Sequence, residues 1–299
     1  MTKQIRISHS AIRQLTSCPR LTLFEKELRL YPVYGSIAMK YGSAYHAAME
    51  AYYKSGKDLN AAIETAALYW SKPTIQDIQD DYRNLENLIT SIVFYHERYQ
   101  YDNTEIMGIQ EHRIETELLL SEEEKDRYGD ISVLFVAVID LVLVIDGMKW
   151  VVDFKTTSVE LPYLASRLRR MPQLMGYQFV GQDALKEISG TMIYYHQLKA
   201  TKSRTTGLYG APKIDFMPFP QIYSHKDYND WRSYVIFKAF MLNKAREAGY
   251  PPDFNACFEF NRSCPYLPLC DYPKWDLDRF MEMDGFVIVP DEREQNNNG

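Results

Sequence analysis

The sequence contains no hydrophobic run long enough to cross a membrane, which takes about 18 consecutive apolar residues. Its first ten residues, MTKQIRISHS, lack the apolar core of a secretory signal peptide. We therefore expect an intracellular, cytoplasmic protein without a membrane partner. Hydrophobic residues make up 46% of the chain and charged residues 25%, which is typical of a globular protein.

Positive charge is also in deficit, since 34 Lys and Arg face 40 Asp and Glu, for a net charge of -6. This balance disfavours a protein that wraps nucleic acid non-specifically, because such a protein needs a broadly basic surface. A local basic groove remains compatible with it, since carboxylates gathered around metal ions lower the total. The candidate rim charges, each of which fits a solvated helix or loop equally well, are Arg167, Arg169, Arg170, Lys199, Lys202 and Arg204.

Cysteine is scarce as well, with Cys18 near one end of the chain and Cys257, Cys264 and Cys270 close together near the other. Four cysteines in an intracellular protein favour a metal or cluster site over disulfides. The gaps of six and five residues do not match the short knuckles of most zinc sites, whereas four thiolates can hold a [4Fe–4S] cluster. Such a cluster would act as a staple. Zinc and four unrelated buried thiols are the alternatives.

The periodicity of apolar residues predicts an α/β chain with a helical N-terminal half. Ser8 is the expected N-cap of a helix that runs past Cys18 to about Leu28. Other helices are predicted over residues 39–53, 58–70, 75–99, 164–170, 172–185 and 227–248. Strands are predicted over residues 109–120, 133–145, 149–156 and 191–197, with SEEEKDRYGD as a charged connection and an irregular segment at 251–273. We expect one domain over residues 1–290 and a disordered tail at 291–299.

The dipeptide Asp146-Gly147 predicts a hairpin turn. If these two residues are the centre of the turn, Asp140 lies directly opposite Asp153, with Cβ atoms about 5 Å apart. Lys155 is two residues beyond Asp153 and therefore projects to the same face. One face of one hairpin thus gathers two carboxylates and an amine.

Two opposed carboxylates between apolar strands repel each other and are costly to desolvate. A divalent cation bridging Asp140 and Asp153 would compensate, and oxygen ligands favour Mg²⁺ or Mn²⁺. A neighbouring Lys155 could then hold the attacking water or stabilise charge on a phosphate. The structural alternative is a simple ion pair between Asp153 and Lys155, with Asp140 as a cap.

Three further groups are candidates for the same site. His46 and Glu50 share one helix face, although a single helical histidine is more often a packing residue than a ligand. Gln173 and Tyr177 share a face of a later helix, where amide and phenol groups could bind water or phosphate; an ordinary half-buried helix is the alternative. One of the strand residues Glu111, Glu115 and Glu117 could join the metal site, although most of them are expected to face solvent.

Taken in order, these motifs resemble a known family. They are Cys18-Pro19, the Gly-x-x-x-His element at Gly42 to His46, the apolar strand ending in Ile139-Asp140, Asp153-Phe154-Lys155, Gln173-x-x-x-Tyr177 and the three late cysteines. The set resembles the RecB-like branch of the PD-(D/E)XK nucleases with an iron–sulfur staple. The nuclease domains of AddAB-type helicase-nucleases and the CRISPR-associated RecB-like exonucleases belong to that branch.

The resemblance implies a restriction-endonuclease-like core, in which a central mixed sheet is flanked by helices and a cysteine-stapled segment ends the fold. It implies that His46, Asp140, Asp153 and the Phe154 carbonyl bind the metal and that Lys155 is catalytic. Gln173 and Tyr177 would orient the substrate or Lys155, and Cys18, Cys257, Cys264 and Cys270 would ligate a [4Fe–4S] cluster. Two departures are Val138, where family members often have glycine, and the first late cysteine gap, which is often two residues rather than six.

By this resemblance we expect a Mg²⁺- or Mn²⁺-dependent deoxyribonuclease, an exonuclease rather than an endonuclease, acting on single-stranded DNA or duplex ends. DNA repair, recombination and phage- or CRISPR-type processing are its expected settings, with a helicase or recombination protein as a possible partner. Two rival functions stay open at this point. One is a non-catalytic DNA-binding or assembly subunit that keeps the nuclease fold, and the other is an iron–sulfur electron carrier.

Overall fold

The computed structural model of the protein describes residues 2–32, 36–70, 82–102, 104–108, 112–139, 141–259, 262–270 and 285–289. The α-helices in these ranges are α1 (His9–Ser17), α2 (Pro19–Thr22), α3 (Ile37–Lys54), α4 (Leu59–Trp70), α5 (Leu85–Tyr99), α6 (Glu122–Tyr128), α7 (Leu161–Leu168), α8 (Pro172–Leu185), α9 (His225–Glu247) and α10 (Leu267–Cys270). A π-helical segment, Leu23–Glu27, follows α2, and a 3-10 helix covers Phe254–Cys257.

The strands are β1 (Lys3–Ser8), β2 (Leu30–Pro32), β3 (Thr104–Gly108), β4 (His112–Leu118), β5 (Ile131–Ile139), β6 (Leu141–Ile145), β7 (Met148–Thr157), β8 (Ile188–Lys199), β9 (Lys213–Gln221), β10 (Phe258–Glu259), β11 (Arg262–Ser263) and β12 (Phe286–Ile288). One sheet has the order β1-β5-β4 and another the order β3-β6-β7-β8-β9. In the latter sheet β7 and β8 are parallel, and the other neighbours are antiparallel. The predicted fold class, a mixed α/β fold with sheets flanked by helices, is confirmed.

The chain divides into two compact units. The first comprises Met1–Tyr34, Glu117–Phe135 and Arg232–Gly299, and the second comprises Gly35–Thr116 and Val136–Trp231. The second unit contains the five-stranded sheet and the helices α3, α4, α5, α7 and α8. The first unit contains the antiparallel pair of β2 with β12 and the short pair of β10 with β11.

Tyrosine dominates the core of the second unit. Its buried tyrosines are Tyr41, Tyr45, Tyr52, Tyr53, Tyr95 and Tyr194. Their hydroxyl groups are kept in the core partly by pairing with one another, as between Tyr53 and Tyr95, whose oxygens are 2.7 Å apart, and partly by neighbours such as Ser91, 3.0 Å from Tyr41. Because a buried hydroxyl is costly without a hydrogen bond, these pairings lower the polar cost of burying the large apolar rings. Among the described residues, the Tyr45 hydroxyl has no hydrogen-bond partner.

His196 on β8 is a fully buried histidine that packs against this core. Its ring lies 4.5 Å from that of Tyr45 and 5.1 Å from that of Phe216, measured between centroids. Burial lowers the pKa of His196 to about 3. The unfolded chain takes up a proton at this residue below pH 6.5, whereas the folded protein does so only near pH 3.

The stability of the folded state should therefore fall as the pH drops below 6.5, by about 1.4 kcal/mol per pH unit from this residue alone. We expect His196→Phe, which has a similar shape and no charge to gain, to remove about 2 kcal/mol of the loss between pH 6.5 and pH 5. Urea unfolding at the two pH values measures it, with His225→Phe at an exposed position as the matched control. An equal loss in wild type and His196→Phe would contradict the assignment.

The core of the first unit joins the π-helical segment to the late part of the chain. Phe24 stacks on Tyr266 at 5.1 Å between ring centroids, and Leu30 and Leu269 complete the buried cluster. The hydroxyl of Tyr266 donates to the carbonyl of Leu30 at 3.1 Å. These contacts are what hold residues 264–270 against residues 18–30.

Several predicted elements need correction. The helix that begins after the Ser8 N-cap does not run unbroken past Cys18, because Cys18 is extended, with φ -160° and ψ 123°. Proline disfavours helical backbone in the residue before it, and Pro19 follows. The stretch SEEEKDRYGD is not only a connection, since it forms α6 with a capping box between Ser121 and Glu124.

The apolar run 133–145 is also not one strand, because β5 and β6 belong to different sheets. β1, β3 and β9 were not predicted. β9 carries Pro218 and Pro220 at the edge of its sheet, where a missing N–H group is tolerated. Parts of the predicted helix 75–99 and strand 109–120, and the tail at 291–299, lie outside the described residues. Within those residues no helix combines the length and the hydropathy that a membrane crossing needs.

Candidate active site and cysteine pocket

The hairpin of β6 and β7 is the centre of the candidate active site. Its strands pair with Ile145 opposite Met148 and Leu141 opposite Val152. Asp146 and Gly147 have φ angles of 52° and 76°, as a type I′ turn requires of its central residues. The predicted turn and its register are therefore confirmed over β6. Asp140 lies outside the described residues, so its position opposite Asp153 stays a prediction.

Asp153 and Lys155 form an ion pair on one face of β7. Asp153 is 2% exposed, and the Nζ atom of Lys155 lies 2.9 Å from both carboxylate oxygens and donates to Oδ1. A carboxylate buried this deeply needs a nearby cation or hydrogen-bond donors. The side chain of Lys155 keeps 36% exposure, so its ammonium group links the buried carboxylate to the surface. Asp153 and Lys155 therefore lie on the same face of β7, as predicted. The ion pair is compatible both with a metal site and with a purely structural role.

Tyr195 is a neighbour of this pair that the sequence analysis did not single out. Strand β8 runs parallel to β7 and pairs Tyr195 with Lys155, which directs both side chains to the same face. Burial, and then the negative charge of Asp153, raise the pKa of the Tyr195 hydroxyl. The phenol is therefore neutral at neutral pH and can donate a hydrogen bond. Only the pairing of distant strands reveals it.

Gln173 and Tyr177 lie together on α8, as predicted. The Nε2 atom of Gln173 donates to the hydroxyl of Tyr177 at 2.7 Å. One turn further on, a Cβ atom at Gly181 would lie 3.5 Å from Cγ2 of Val151, so α8 covers the face of β7 that also carries Asp153 and Lys155.

The direction of α8 sets the level of these two side chains. The helix returns the chain to the start of β8, which is parallel to β7, and so α8 runs antiparallel to β7. One helical turn and two strand residues each advance the chain by about 6 Å. Tyr177 is one helical turn before Gly181, and Gln173 is two turns before it. Because Gly181 lies opposite Val151, Tyr177 lies beside Asp153 along β7 and Gln173 lies beside Lys155.

His46 and Phe154 are placed by α3, which packs on the other face of β7. A Cβ atom at Gly42 would lie 3.1 Å from Oγ1 of Thr156, so glycine is what permits this close approach. His46 follows one turn later and is half-buried. The Phe154 ring is buried against Tyr45 and Tyr53. The metal-ligand roles of His46 and of the Phe154 carbonyl stay predictions.

Most of the remaining acidic and basic candidates that the structure describes lie at the surface. Glu115, whose Oε1 atom is 3.0 Å from Nε of Arg113, and Glu117 are exposed, and Glu111 lies outside the described residues. The six candidate rim residues are all exposed, and Lys199 contacts Glu160 at 2.7 Å. Glu50 forms an ion pair with Lys54.

All four cysteines line one pocket in the first unit. They share it with Arg20, Asp253 and Tyr266. The extended backbone at Cys18 turns its Sγ atom toward residue 253, whose N–H donates to that sulfur at 3.3 Å. The N–H of Cys264 donates to the carbonyl of Cys257 at 2.8 Å. The four cysteines are free thiols, so no disulfide accounts for their meeting.

The surroundings of Cys264 and Cys270 disfavour their ionised thiols in the absence of a positive centre. Burial raises the pKa of the Cys264 thiol, and the charges of the other three cysteines raise it further. Burial also raises the pKa of Cys270, which the Arg20 guanidinium partly offsets. A thiolate-bound cluster would supply that positive charge and would space its ligands more widely than one ion does. Among the described residues, no three His, Cys, Asp or Glu side chains are spaced to hold a single metal ion.

The mixed sheet, the hairpin with Asp-x-Lys on its returning strand and the covering helix α8 define the class of a restriction-endonuclease-like nuclease core. Comparison of the sequence with family models agrees, because the model of the PD-(D/E)XK nuclease superfamily matches residues 6–271. The chain therefore belongs to the PD-(D/E)XK nuclease superfamily.

Two solved structures are similar over most of this chain. One is a "Putative exonuclease" from Eubacterium rectale, at 12% identity and a TM-score of 0.43, covering 91% of this chain and 89% of that one. The other is SSO0001, at 12% identity and a TM-score of 0.33, covering 85% and 82%. No curated protein matches the sequence.

Proposed function

We propose that this protein is a Mg²⁺- or Mn²⁺-dependent deoxyribonuclease that degrades single-stranded DNA or duplex ends as an exonuclease. The observation that carries the proposal is the Asp153–Lys155 pair on the β7 strand of a PD-(D/E)XK nuclease. A structural ion pair needs no exposed end, whereas Lys155 extends from a buried carboxylate to the surface.

The residues of the hairpin fit a hard divalent cation. Asp140, Asp153, the Phe154 carbonyl and His46 would hold it, and oxygen ligands with one imidazole suit Mg²⁺ or Mn²⁺. When bound, the ion would polarise the scissile phosphate and lower the pKa of an attacking water. Lys155 orients that water and stabilises negative charge on the phosphate oxygens. Gln173 and Tyr177, on the covering helix α8, limit the positions that Lys155 and the substrate can take. The neutral Tyr195 phenol offers a further hydrogen-bond donor.

The four cysteines are the proposed ligands of a [4Fe–4S] cluster, which would place the protein in the RecB-like branch of the superfamily. Their meeting in one pocket supports this, since Cys18 is far from the other three in sequence. The cluster would staple the start of α2 to the segment that ends in α10. Zinc at this pocket is the alternative, and measuring the iron and zinc content of the purified protein distinguishes the two.

The same proposal treats both compact units as parts of one nuclease domain over residues 1–290, since the family match runs through segments of each. DNA is the proposed partner. A helicase or recombination partner, a role in DNA repair and a cytoplasmic location follow from the resemblance alone and stay predictions.

The test is a cleavage assay with end-labelled linear single strands, linear duplexes and covalently closed single-stranded circles. We expect degradation of linear DNA with Mg²⁺ or Mn²⁺, none with a chelator, and intact circles, because an exonuclease needs an end. Cleaved circles would make the protein an endonuclease. Binding without cleavage under either metal would favour the non-catalytic DNA-binding subunit.

A further inference from the structure

A polar pocket lies where β7 ends, directly after Lys155. Its lining includes Arg83 and the consecutive residues Thr156, Thr157 and Ser158, with the first turns of α3 and Leu198 as the remaining walls. Its volume of about 340 Å³ would hold about ten water molecules at ~30 Å³ each, and hence a sugar–phosphate group. All of these residues belong to the second unit.

The chemistry of the lining suits an anion. The described residues that line the pocket include an arginine and three hydroxyl groups but no carboxylate. The Oγ1 atom of Thr157 accepts a hydrogen bond from the N–H of Val159 at 3.0 Å, which leaves its O–H to donate to a ligand. A guanidinium with hydroxyl donors is the usual set for a phosphate oxygen.

The position of the pocket fits the nucleotide next to the one that is cleaved. Thr157 is two residues beyond Lys155 on the same strand and face, which places its Cα about 7 Å further along. Thr156 faces the other way, toward α3, so the pocket lies around the end of β7 on the α3 side. A strand of DNA that crosses Lys155 and passes the end of β7 would bring its next phosphate to Thr157 and Ser158 first.

An aromatic wall adjoins Arg83. The Arg83 guanidinium lies 4.5 Å from the centroid of the Tyr82 ring, which meets the Tyr209 ring at 5.0 Å. The Nζ atom of Lys202 is 5.4 Å from the Tyr209 centroid, and Tyr209 remains 37% exposed. Interleaved basic and aromatic side chains are typical of surfaces that bind single strands, because unpaired bases stack on rings while cations contact the backbone.

The wall is held in place before any ligand arrives. Lys202 and Tyr209 form an antiparallel β-bridge in the connection between β8 and β9. In the same connection the N–H of Ser203 donates to the carbonyl of Leu208 at 2.8 Å. The N–H of Gly210 donates to the carbonyl of Thr201 at 3.1 Å. A preformed surface loses little entropy on binding.

We infer that this surface binds single-stranded DNA, with Arg83 and the hydroxyls of Thr156, Thr157 and Ser158 on the phosphate next to the scissile one and the Tyr82–Tyr209 pair on the adjoining base. The inference rests on the proposed function for the position of the scissile phosphate. Duplex DNA fits less well, since its bases are stacked on each other and do not offer their faces to Tyr209.

The experiment is fluorescence anisotropy of the full chain with a labelled oligothymidylate in a chelator, so that binding is measured without cleavage. We expect Tyr209→Leu to weaken binding about 5- to 150-fold with an unchanged salt dependence. Arg83→Leu should weaken binding and reduce the slope of log K against log salt by about 0.7. The matched control is Arg98→Leu, whose guanidinium also lies over a tyrosine, Tyr99, but at the opposite end of α5.

Melting curves establish that each variant folds, and Tyr209, on an exposed turn, gives a result even if Arg83→Leu does not fold. Wild-type affinity in both Tyr209→Leu and a folded Arg83→Leu overturns the site, as does tighter binding of duplex than of single strands or no binding by the wild type. Cleavage assays on the same preparations separate the two proposals. A protein that shows the expected binding losses but cleaves nothing retains the site and loses the nuclease function.

Discussion

Lys155→Met will lower the rate of DNA cleavage by about 10²- to 10⁴-fold, the range over which one positioned proton donor or acceptor contributes to catalysis. Methionine keeps the length and apolar stem of lysine but removes the ammonium group that lies 2.9 Å from the oxygens of Asp153. The substitution also takes this cation away from the buried carboxylate of Asp153 and should lower the stability of the fold, so melting curves must establish that the assayed protein is folded. Cleavage of end-labelled single strands under single-turnover conditions measures the effect.

The matched control is Lys149→Met on the same strand. Lys149 is also on β7 and lies 3.9 Å from Glu187, at the end of the strand away from Thr157. We expect the control to cleave at the wild-type rate. Asp153→Asn, which keeps the shape and removes the charge, should lose activity as fully as Lys155→Met. Wild-type cleavage by a folded Lys155→Met protein would leave the pair with the structural role alone.

Cys18→Ala should remove the iron from the protein and lower its melting temperature. In a cluster ligated by Cys18, Cys257, Cys264 and Cys270, the bonds to Cys18 close nearly the whole length of the chain into a loop. For a cross-link of this span, the entropy removed from the unfolded state is worth on the order of 5 kcal/mol, or about 5–15 °C in a protein of this size. Iron and sulfide analysis, visible absorption and thermal unfolding measure the result.

Ser263→Ala is the control for this variant, since it changes an exposed residue at the end of β11, directly before Cys264. It should retain the visible absorption and the melting temperature of the wild type. A wild-type protein prepared without oxygen that contains no iron, or that contains zinc instead, would disprove the cluster. Cleavage that persists in Cys18→Ala at low temperature would assign the cluster a purely structural role.

Local sequence signals were sufficient to predict structural features that are formed by residues close together in the chain. The dipeptide Asp146-Gly147 predicted its turn because both residues tolerate positive φ, and the turn then set the register of β6 on β7. Pro172 predicted the start of α8, and the four-residue spacing of Gln173 and Tyr177 predicted their shared face, on which the two side chains form a hydrogen bond. The capping box of α6 was equally local and was overlooked, although Ser121 and Glu124 carry its signature.

Pairings between distant segments could not be predicted in this way. An apolar run does not indicate which strands will flank it. Residues 133–145 were therefore predicted to form one strand, although β5 and β6 join different sheets. Tyr195 reaches Lys155 only because β8 pairs with β7 in one register. The polar pocket after Lys155 likewise combines α3, Arg83 and the end of β7.

The sequence by itself determined the α/β class, the hairpin register and the residue types able to hold a metal or a cluster, because these depend on side-chain periodicity, turn chemistry and donor atoms close together in the chain. Tertiary structure decided which face of β7 meets α8, that four thiols share one pocket, and that an arginine and two tyrosines adjoin the end of β7. These features depend on strand order and on packing between remote segments, which no local pattern encodes.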